Sequence, residues 1–286
     1  MSAPAWPPEP PADMPPARTI CVRGHGELFL RDTGGDGPPV MLLHGWMASA
    51  DLNWWAVYDA LRDAGYRVLA IDHRGHGRGL RPLTPFRLVD CAADAAAALR
   101  ALDAAPALIV GYSMGGAIAQ LLARDHPDVV EGLVLSGTAQ HWQDPRTRRA
   151  FKTMGALGLT LSVAPRASWR AGLRQLGLPP GPHLAWVQSE LMRHSARDLA
   201  EAGRELGRFD SRSWLGSIAA PVAVVLTTRD ELVPPTKQRA LAQAARATVF
   251  EAPLKHLEIG WLPEGYNPPL LKALEAVAAR RAAPVT

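Results

Sequence analysis

The feature of this sequence that most constrains its fold is a series of five short, almost uninterrupted apolar runs. The runs lie at residues 40–43, 67–71, 107–110, 132–135 and 222–226. Such composition is typical of strands buried on both faces of a sheet. Segments long enough for helices follow or separate them, at residues 51–64, 86–102, 114–125, 236–245 and 269–281. The alternation predicts an α/β fold with helices on both faces of a mostly parallel central sheet.

The first part of the chain departs from this alternation. Residues 1–18 are rich in Pro and Ala and lack the basic and apolar regions of a signal peptide, so we expect a disordered or extended arm. Residues 19–23 and 27–32 are short apolar-containing runs separated by Gly24-His25-Gly26. This pattern predicts two strands joined by a tight turn.

A second departure begins after the strand predicted at 132–135. Residues 139–213 have helical periodicity, scattered Trp, Pro and Arg, and no strong strand signal. We therefore expect an inserted helical cap at 139–213, on a core formed by residues 19–138 and 214–286. The many arginines of this cap would suit anionic groups of a ligand, and equally a solvated surface.

Composition excludes several function classes. The chain of 286 residues is 48% hydrophobic and 20% charged, as in ordinary globular proteins. Its net charge of +4 arises from scattered arginines rather than from a basic run of the kind that binds nucleic acid. Cys21 and Cys91 are too isolated to indicate a disulfide framework or a zinc site. No run approaches the roughly eighteen apolar residues of a membrane helix. We expect a cytoplasmic protein with no nucleic-acid partner and no integral membrane association.

The most informative motif is Gly111-Tyr112-Ser113-Met114-Gly115, between the strand predicted at 107–110 and the helix at 114–125. In that context a G-x-S-x-G pattern forms a cramped turn, for which the glycines leave room, and the turn exposes the serine hydroxyl. The pattern predicts that Ser113 is a nucleophile. The structural alternative is a serine that caps the following helix.

A serine hydroxyl needs a base that is itself oriented by an acid. Asp230 follows the strand predicted at 222–226, and His256 follows a short strand predicted at 248–251. Ser113, Asp230 and His256 thus occur in the order expected of a hydrolase built on such a sheet. The alternatives are Glu231 as the acid and His126, His183 or His194 as the base.

These motifs together resemble the α/β-hydrolase family over nearly the whole chain beyond the arm. His44-Gly45 resembles the oxyanion loop of that family, residues 72–77 resemble its D-x-R-G-x-G loop, and residues 230–234 resemble its D-x-x-V-P stretch. The resemblance implies the α/β-hydrolase fold, with a serine esterase or lipase-like chemistry. Ser113 would attack a carbonyl, His256 would move the proton, and Asp230 would hold the histidine.

The resemblance also implies an oxyanion hole formed by the backbone amides of Trp46 and Met114. We further predict that Trp46, Tyr112 and Trp142 contact substrate, although packing between helices would explain Trp142 equally well. The loop residues His73, Arg74 and His76 are expected to brace the structure rather than bind phosphate or metal. Neither a metal nor a cofactor is implied.

The implied substrate is a small-molecule ester or acyl compound. Serine in place of aspartate at position 113 argues against the haloalkane dehalogenase and epoxide hydrolase branches. Carboxylic ester hydrolysis is the first hypothesis, while haloperoxidase or perhydrolase activity, thioester hydrolysis and carbon–carbon bond hydrolysis would use the same residues. A non-catalytic ligand-binding protein is the alternative from another class. The sequence does not indicate an oligomeric state.

Overall fold

Eight strands form one sheet in the computed structural model, which describes residues 8–175 and 181–282. The strands are β1 (Ala17–Val22), β2 (Gly26–Asp32), β3 (Pro39–Leu43), β4 (Arg67–Ile71), β5 (Ala107–Tyr112), β6 (Val130–Ser136), β7 (Val222–Thr227) and β8 (Thr248–Ala252). Their order is β1-β2-β4-β3-β5-β6-β7-β8. Strands β3 to β8 are parallel, while β1 and β2 pair in antiparallel fashion at one edge. The predicted mostly parallel sheet is confirmed.

The helices are α1 (Ala50–Trp54), α2 (Tyr58–Asp63), α3 (Leu88–Ala101), α4 (Met114–Asp125), α5 (Pro145–Lys152), α6 (Met154–Val163), α7 (Pro165–Gln175), α8 (Pro182–Leu191), α9 (Ala196–Arg208), α10 (Pro235–Ala244) and α11 (Pro263–Ala282). Among the described residues, none of them is both long and apolar enough to cross a membrane.

Two apolar layers cover the sheet because side chains alternate along each strand. On β3, Met41 and Leu43 enter the layer that contains residues of α3 and α4. Val40 and Leu42 enter the opposite layer, with residues of α1, α2 and α11. Each of these four side chains is fully buried. Burial of both faces explains why the strands are continuous apolar runs rather than alternating ones.

The predicted helix at 51–64 is divided into α1 and α2. Ser49 caps α1 through its Oγ, which accepts the N–H of Leu52 at 3.2 Å. The N–H of Val57 then bonds to the carbonyl of Trp54, three residues back, at 2.8 Å. A bond of this span tightens the backbone and ends the regular helix.

The last helix begins at Pro263, six residues before the predicted start. Tyr266 lies within this extension, is fully buried, and donates its hydroxyl hydrogen to Ser136 Oγ at 2.9 Å. Packing of this residue against the sheet holds the first turns in helical form despite Pro268 and Pro269.

Of the arm predicted at 1–18, residues 1–7 lie outside the described part, and residues 8–16 contain no helix or strand. Strand β1 already begins at Ala17. The carbonyl of Pro15 accepts from Arg31 Nη1 at 2.9 Å, and that of Pro16 accepts from the N–H of Asp32 at 3.1 Å. Met14 packs against the apolar layer beneath the sheet. These contacts hold the second half of the arm against β2 and the core.

Between β6 and β7, in the region where the cap was predicted, the described residues form the helices α5 to α9. Met154 at the start of α6 packs close to Gly203 of α9, where an added Cβ would lie 2.5 Å from its sulfur. Arg78 of the core forms an ion pair with the buried Glu190 of α8 at 2.8 Å. The inserted helices are therefore attached both to one another and to the core.

Candidate active site

Ser113 occupies the turn between β5 and α4 with φ of 52° and ψ of −114°. Non-glycine residues seldom adopt a positive φ, and such strain persists only where neighbouring contacts hold it. The Ser113 N–H donates to the carbonyl of Ser136 at 3.0 Å, and Thr138 Oγ1 donates to the carbonyl of Ser113 at 2.7 Å. A Cβ on Gly115 would lie 2.0 Å from the carbonyl oxygen of Leu43. The second glycine of the motif is thus required for α4 to approach β3.

A continuous hydrogen-bonded chain links three predicted residues. His256 Nε2 lies 3.0 Å from Ser113 Oγ, and His256 Nδ1 lies 2.6 Å from Asp230 Oδ2. Because the carboxylate accepts from Nδ1–H, Nε2 is left to accept the serine hydroxyl. Ser113 and His256 are 9% and 8% exposed, so neither residue is completely enclosed. This arrangement can transfer a proton from serine to imidazole and stabilise the resulting imidazolium.

Asp230 is held by several donors besides the histidine. Its Oδ1 accepts the N–H groups of Leu232 and Val233 at 2.9 and 2.8 Å, and its Oδ2 accepts Thr227 Oγ1 at 2.8 Å. Gln238 Nε2 donates to Thr227 Oγ1 at 2.7 Å. These bonds fix the plane of the carboxylate toward His256.

The loop after β3 reaches the same place. A Cβ on Gly45 would lie 3.4 Å from Ser113 Cβ, so the backbone that precedes Trp46 contacts the serine. The Gly45 N–H donates to Asn53 Oδ1 at 2.9 Å, which ties this loop to α1. Met114 is the first residue of α4, where backbone N–H groups have no partner within the helix. The Gly45 backbone, which precedes Trp46, and the first turn of α4 therefore both lie close to Ser113.

Comparison with known proteins agrees with this geometry. A family model described as the alpha/beta hydrolase fold matches residues 38–162. A non-heme chloroperoxidase from Streptomyces lividans is 32% identical over 276 residues, which cover 88% of this chain and 98% of that protein. The chain belongs to the α/β-hydrolase fold family. It is an α/β-hydrolase enzyme, and the predicted fold class is confirmed.

Two further relatives of this α/β-hydrolase are named for ester substrates. A pimeloyl-(acyl-carrier protein) methyl ester esterase from Chromobacterium violaceum is 31% identical over 235 residues, which cover 79% of this chain and 89% of that protein. The crystal structure of an enol-lactonase from Burkholderia xenovorans superposes with a TM-score of 0.72 at 25% identity. That alignment covers 90% of this chain and all of the lactonase.

The alternative acids and bases of this α/β-hydrolase lie elsewhere. Glu231 is exposed, whereas Asp230 is buried beside His256. His183 is exposed, with Nδ1 3.3 Å from the carbonyl of Glu9. His194 Nδ1 accepts the N–H of Gly77. His126 ends α4, as expected of a residue before a proline.

The structure shows the surroundings of Tyr112 and Trp142, two of the residues predicted to contact substrate. Tyr112 keeps 6% of its exposure; its hydroxyl donates to the carbonyl of His256 at 2.6 Å and its ring centroid lies 5.0 Å from that imidazole. Trp142 keeps 4%, and its ring packs 5.7 Å from that of Phe209 in the core. Tyr112 therefore packs against His256 and bonds to its backbone, and Trp142 packs against Phe209. A motif position alone does not indicate which face of the sheet its side chain enters.

Trp46 connects the site to the inserted helices. Its indole Nε1–H donates to the carbonyl of Leu199 in α9 at 2.9 Å, and its ring lies 6.1 Å from that of Phe151 in α5. The residue is partly exposed. Any movement of α5 or α9 would therefore be transmitted to the loop that carries the Trp46 amide.

Three buried histidines and the partly buried His194 lie behind this loop, in a cluster that the sequence motifs only partly indicated. The ring centroids of His44 and His73 are 4.2 Å apart, those of His44 and His76 5.4 Å, and those of His76 and His194 5.6 Å. His44 Nδ1 donates to the carbonyl of Gly45 at 2.8 Å and its Nε2 accepts the N–H of His73 at 3.0 Å. The N–H of Gly77 donates to His194 Nδ1 at 2.9 Å. His194 is contributed by the segment between α8 and α9, so the cluster joins the cap to the core.

The cluster is neutral because it is shielded from water. Burial, together with the neighbouring His76, lowers the pKa of His73 to about 3. Burial and the charge of Arg81 lower the pKa of His194 to about 3. Burial likewise holds the pKa values of His44 and His76 well below the ordinary value. Within the described residues, no group of His, Cys, Asp or Glu has the arrangement of a metal site. The histidines therefore act here as packed, neutral side chains.

Proposed function

We propose that this α/β-hydrolase is a serine hydrolase that cleaves small-molecule carboxylic esters through an acyl-enzyme intermediate. The observation that carries the proposal is the hydrogen-bonded chain from Ser113 Oγ through His256 to Asp230. No cofactor takes part in this chemistry.

Acylation begins when Ser113 Oγ attacks the ester carbonyl while His256 Nε2 takes the hydroxyl proton. Asp230 accepts from Nδ1–H and stabilises the imidazolium, and His256 then gives its proton to the departing alcohol. The oxyanion is met by the backbone amides of Met114 and Trp46, each of which would contribute roughly 3 kcal/mol by analogy with measured oxyanion holes. Water activated by the same imidazole completes hydrolysis of the acyl-enzyme.

We also propose that residues 139–213 roof this site as a cap on a core of residues 19–138 and 214–286. The contacts of Trp46 with Leu199 and Phe151 support this division, because they join the inserted helices to the oxyanion loop.

The names of the relatives support an ester substrate, since two are an esterase and a lactonase. The relative named as a chloroperoxidase favours perhydrolysis as a second candidate. In that reaction hydrogen peroxide, rather than water, attacks the same acyl-enzyme and releases a peracid together with the free Ser113 hydroxyl.

Labelling with a fluorophosphonate probe tests the nucleophile directly. We expect the wild-type protein to be labelled at Ser113 and a Ser113→Ala variant to remain unlabelled, with circular dichroism as the control for folding. A folded wild type that takes no label would favour the ligand-binding alternative. Equal labelling of Ser113→Ala would show that another residue is the nucleophile.

A panel of p-nitrophenyl esters of increasing acyl length tests the substrate class. Turnover of at least one ester, dependent on Ser113, is the expected result, and the preferred length separates an esterase from a lipase. A labelled protein that is inactive across the panel would contradict ester hydrolysis and favour thioester or carbon–carbon cleavage. Peracid formation with added hydrogen peroxide would identify the second candidate.

Thr227 provides a finer test of how the acid is held. We expect Thr227→Val to lower kcat by up to about tenfold, because the carboxylate loses one hydrogen bond of about 1 kcal/mol while the side-chain shape is kept. KM should change little. Thr228→Val is the matched control, since no side-chain hydrogen bond of Thr228 occurs among the described residues. A loss of the same size in both variants would indicate a general effect on the loop.

A further inference from the structure

The segment from α5 to α7 has an unusual charge distribution. Residues 145–175 contain seven Lys and Arg residues and no Asp or Glu, whereas the whole chain has a net charge of only +4. The rest of the chain therefore carries a net charge of −3. The seven cations are Arg146, Arg148, Arg149, Lys152, Arg166, Arg170 and Arg174. Chain-wide counts conceal this concentration of positive charge on one part of the cap.

Helix α6, in the middle of this segment, is uncharged and has apolar side chains on both its buried and its exposed side. Its sequence, Met-Gly-Ala-Leu-Gly-Leu-Thr-Leu-Ser-Val, contains no charged residue. Met154 and Leu161 are buried, but Leu159 is 65% and Val163 76% exposed. A helix of this composition is ordinarily enclosed by other elements, and a contiguous exposed apolar surface marks an interaction site.

Exposed cations flank this apolar surface on both neighbouring helices. Arg149 and Lys152 belong to α5, and Arg166 and Arg170 belong to α7. None of the ion pairs found in residues 8–175 and 181–282 involves these four side chains. By contrast, Arg193, Arg197 and Arg208, later in the cap, each pair with a glutamate. The four cations are therefore available to an external anion.

We propose that helices α5 to α7 form a peripheral docking surface for an anionic lipid interface. Leu159 and Val163 would enter the boundary between headgroups and acyl chains, while the flanking cations bind headgroup phosphates. An apolar centre with a basic margin is the arrangement by which helices lie in such interfaces. A purely acidic partner would bind the flanking cations, but it would not account for the exposed side chains of Leu159 and Val163.

The surface adjoins the candidate active site. Phe151 of α5 packs against Trp46, whose backbone follows the residue in contact with Ser113. Two exposed apolar residues also lie next to the site in the sequence. Leu257 follows His256 and is 46% exposed, and Leu232 lies two residues after Asp230 and is 64% exposed. Docking would therefore bring the oxyanion loop close to the interface. The docking itself does not depend on the proposed hydrolysis.

Co-sedimentation with vesicles tests the proposal, with the full-length Ser113→Ala protein so that turnover plays no part. The two vesicles are phosphatidylcholine alone and phosphatidylcholine with one third phosphatidylglycerol. We expect at least about tenfold stronger partitioning to the anionic vesicles, weakened by high salt. Equal partitioning to both vesicles, or binding to neither, would overturn the proposal.

Two pairs of variants separate the contributions of the apolar and charged residues. The double variant Leu159→Asp, Val163→Asp should reduce partitioning to anionic vesicles by at least about tenfold, because its inserting side chains are lost. Its control is Leu83→Asp, since Leu83 is 93% exposed and lies outside the cap. Arg166→Gln with Arg170→Gln should also weaken binding, whereas the exposed Lys272→Gln should not.

Circular dichroism verifies that each variant is folded. Binding that survives the Leu159 and Val163 substitutions but is displaced by polyglutamate would assign the cations to an acidic macromolecule, and would contradict docking to lipid.

Discussion

Replacing Ser113 with alanine is expected to lower kcat for ester hydrolysis by about a million-fold, the loss seen when a serine of this kind is removed. The effect is so large because no acyl-enzyme can form without that hydroxyl, which lies 3.0 Å from His256 Nε2. A residual acceleration from the oxyanion amides should persist. Steady-state kinetics on an ester identified by the panel provides the measurement, with active-site titration to exclude contaminating wild-type enzyme.

We also expect the effects of substitutions at Ser113, His256 and Asp230 to be strongly non-additive. His256→Ala should cost about as much as Ser113→Ala, and the double variant should be no slower than either. Asp230→Asn should lower kcat by about ten-thousand-fold, because an amide favours the wrong imidazole tautomer. Glu231→Gln is the matched control, since that neighbouring side chain is exposed and should leave kcat unchanged. A greater loss for Glu231→Gln than for Asp230→Asn would disprove the assignment of the acid.

Much of the fold could be predicted because strand burial is expressed directly in the sequence. The run at 67–71 corresponds to β4 residue for residue, since residues 68–71 enter apolar layers and Arg67, at its start, pairs with Asp32. The order of Ser113, Asp230 and His256 along the chain also identified residues that the structure brings into hydrogen-bonding distance. These features depend on local pattern and on the common edge at which parallel strands end.

Side-chain surroundings could not be predicted in the same way. Tyr112 belongs to the serine motif, but its ring enters the layer beneath the sheet and contacts Trp54. His194 lies more than one hundred residues from His76, and only docking of the cap brings their rings together. Helix α6 has the composition of a core helix, yet Leu159 is exposed. In each case the outcome depends on which elements meet, and this information is absent from local periodicity.

Acidification from pH 7.5 to 5 is expected to destabilise the folded protein by several kcal/mol, chiefly through the buried histidine cluster. Burial lowers the pKa of His73 and of His194 to about 3 in the folded state, against about 6.5 in the unfolded chain. The unfolded state therefore binds more protons below pH 6.5. The stabilisation is fully present above that pH and is lost as the pH falls toward 3.

The expected loss of unfolding free energy follows from the proton binding of histidine in the unfolded state. At pH 5, holding one such histidine neutral costs about 2 kcal/mol. Burial raises the pKa of Asp72 to about 6, which acts in the opposite direction, because this carboxyl takes up its proton more readily when folded. That single group offsets only about 1 kcal/mol of the loss. Since domains are stable by about 5–15 kcal/mol, the remaining loss should be plain in urea unfolding curves at the two pH values.

His73→Phe isolates the contribution of one ring. Neither ring nitrogen of His73 has a hydrogen-bond partner among the described residues, so an apolar ring of similar shape should be tolerated at pH 7.5. The substitution should reduce the loss of unfolding free energy between pH 7.5 and 5 by about 2 kcal/mol, because one proton-binding site is removed from the unfolded chain. His183→Gln is the control, since His183 is exposed and should leave the loss unchanged. An unaltered loss in His73→Phe would show that His73 is already protonated, or solvated, in the folded protein at pH 5.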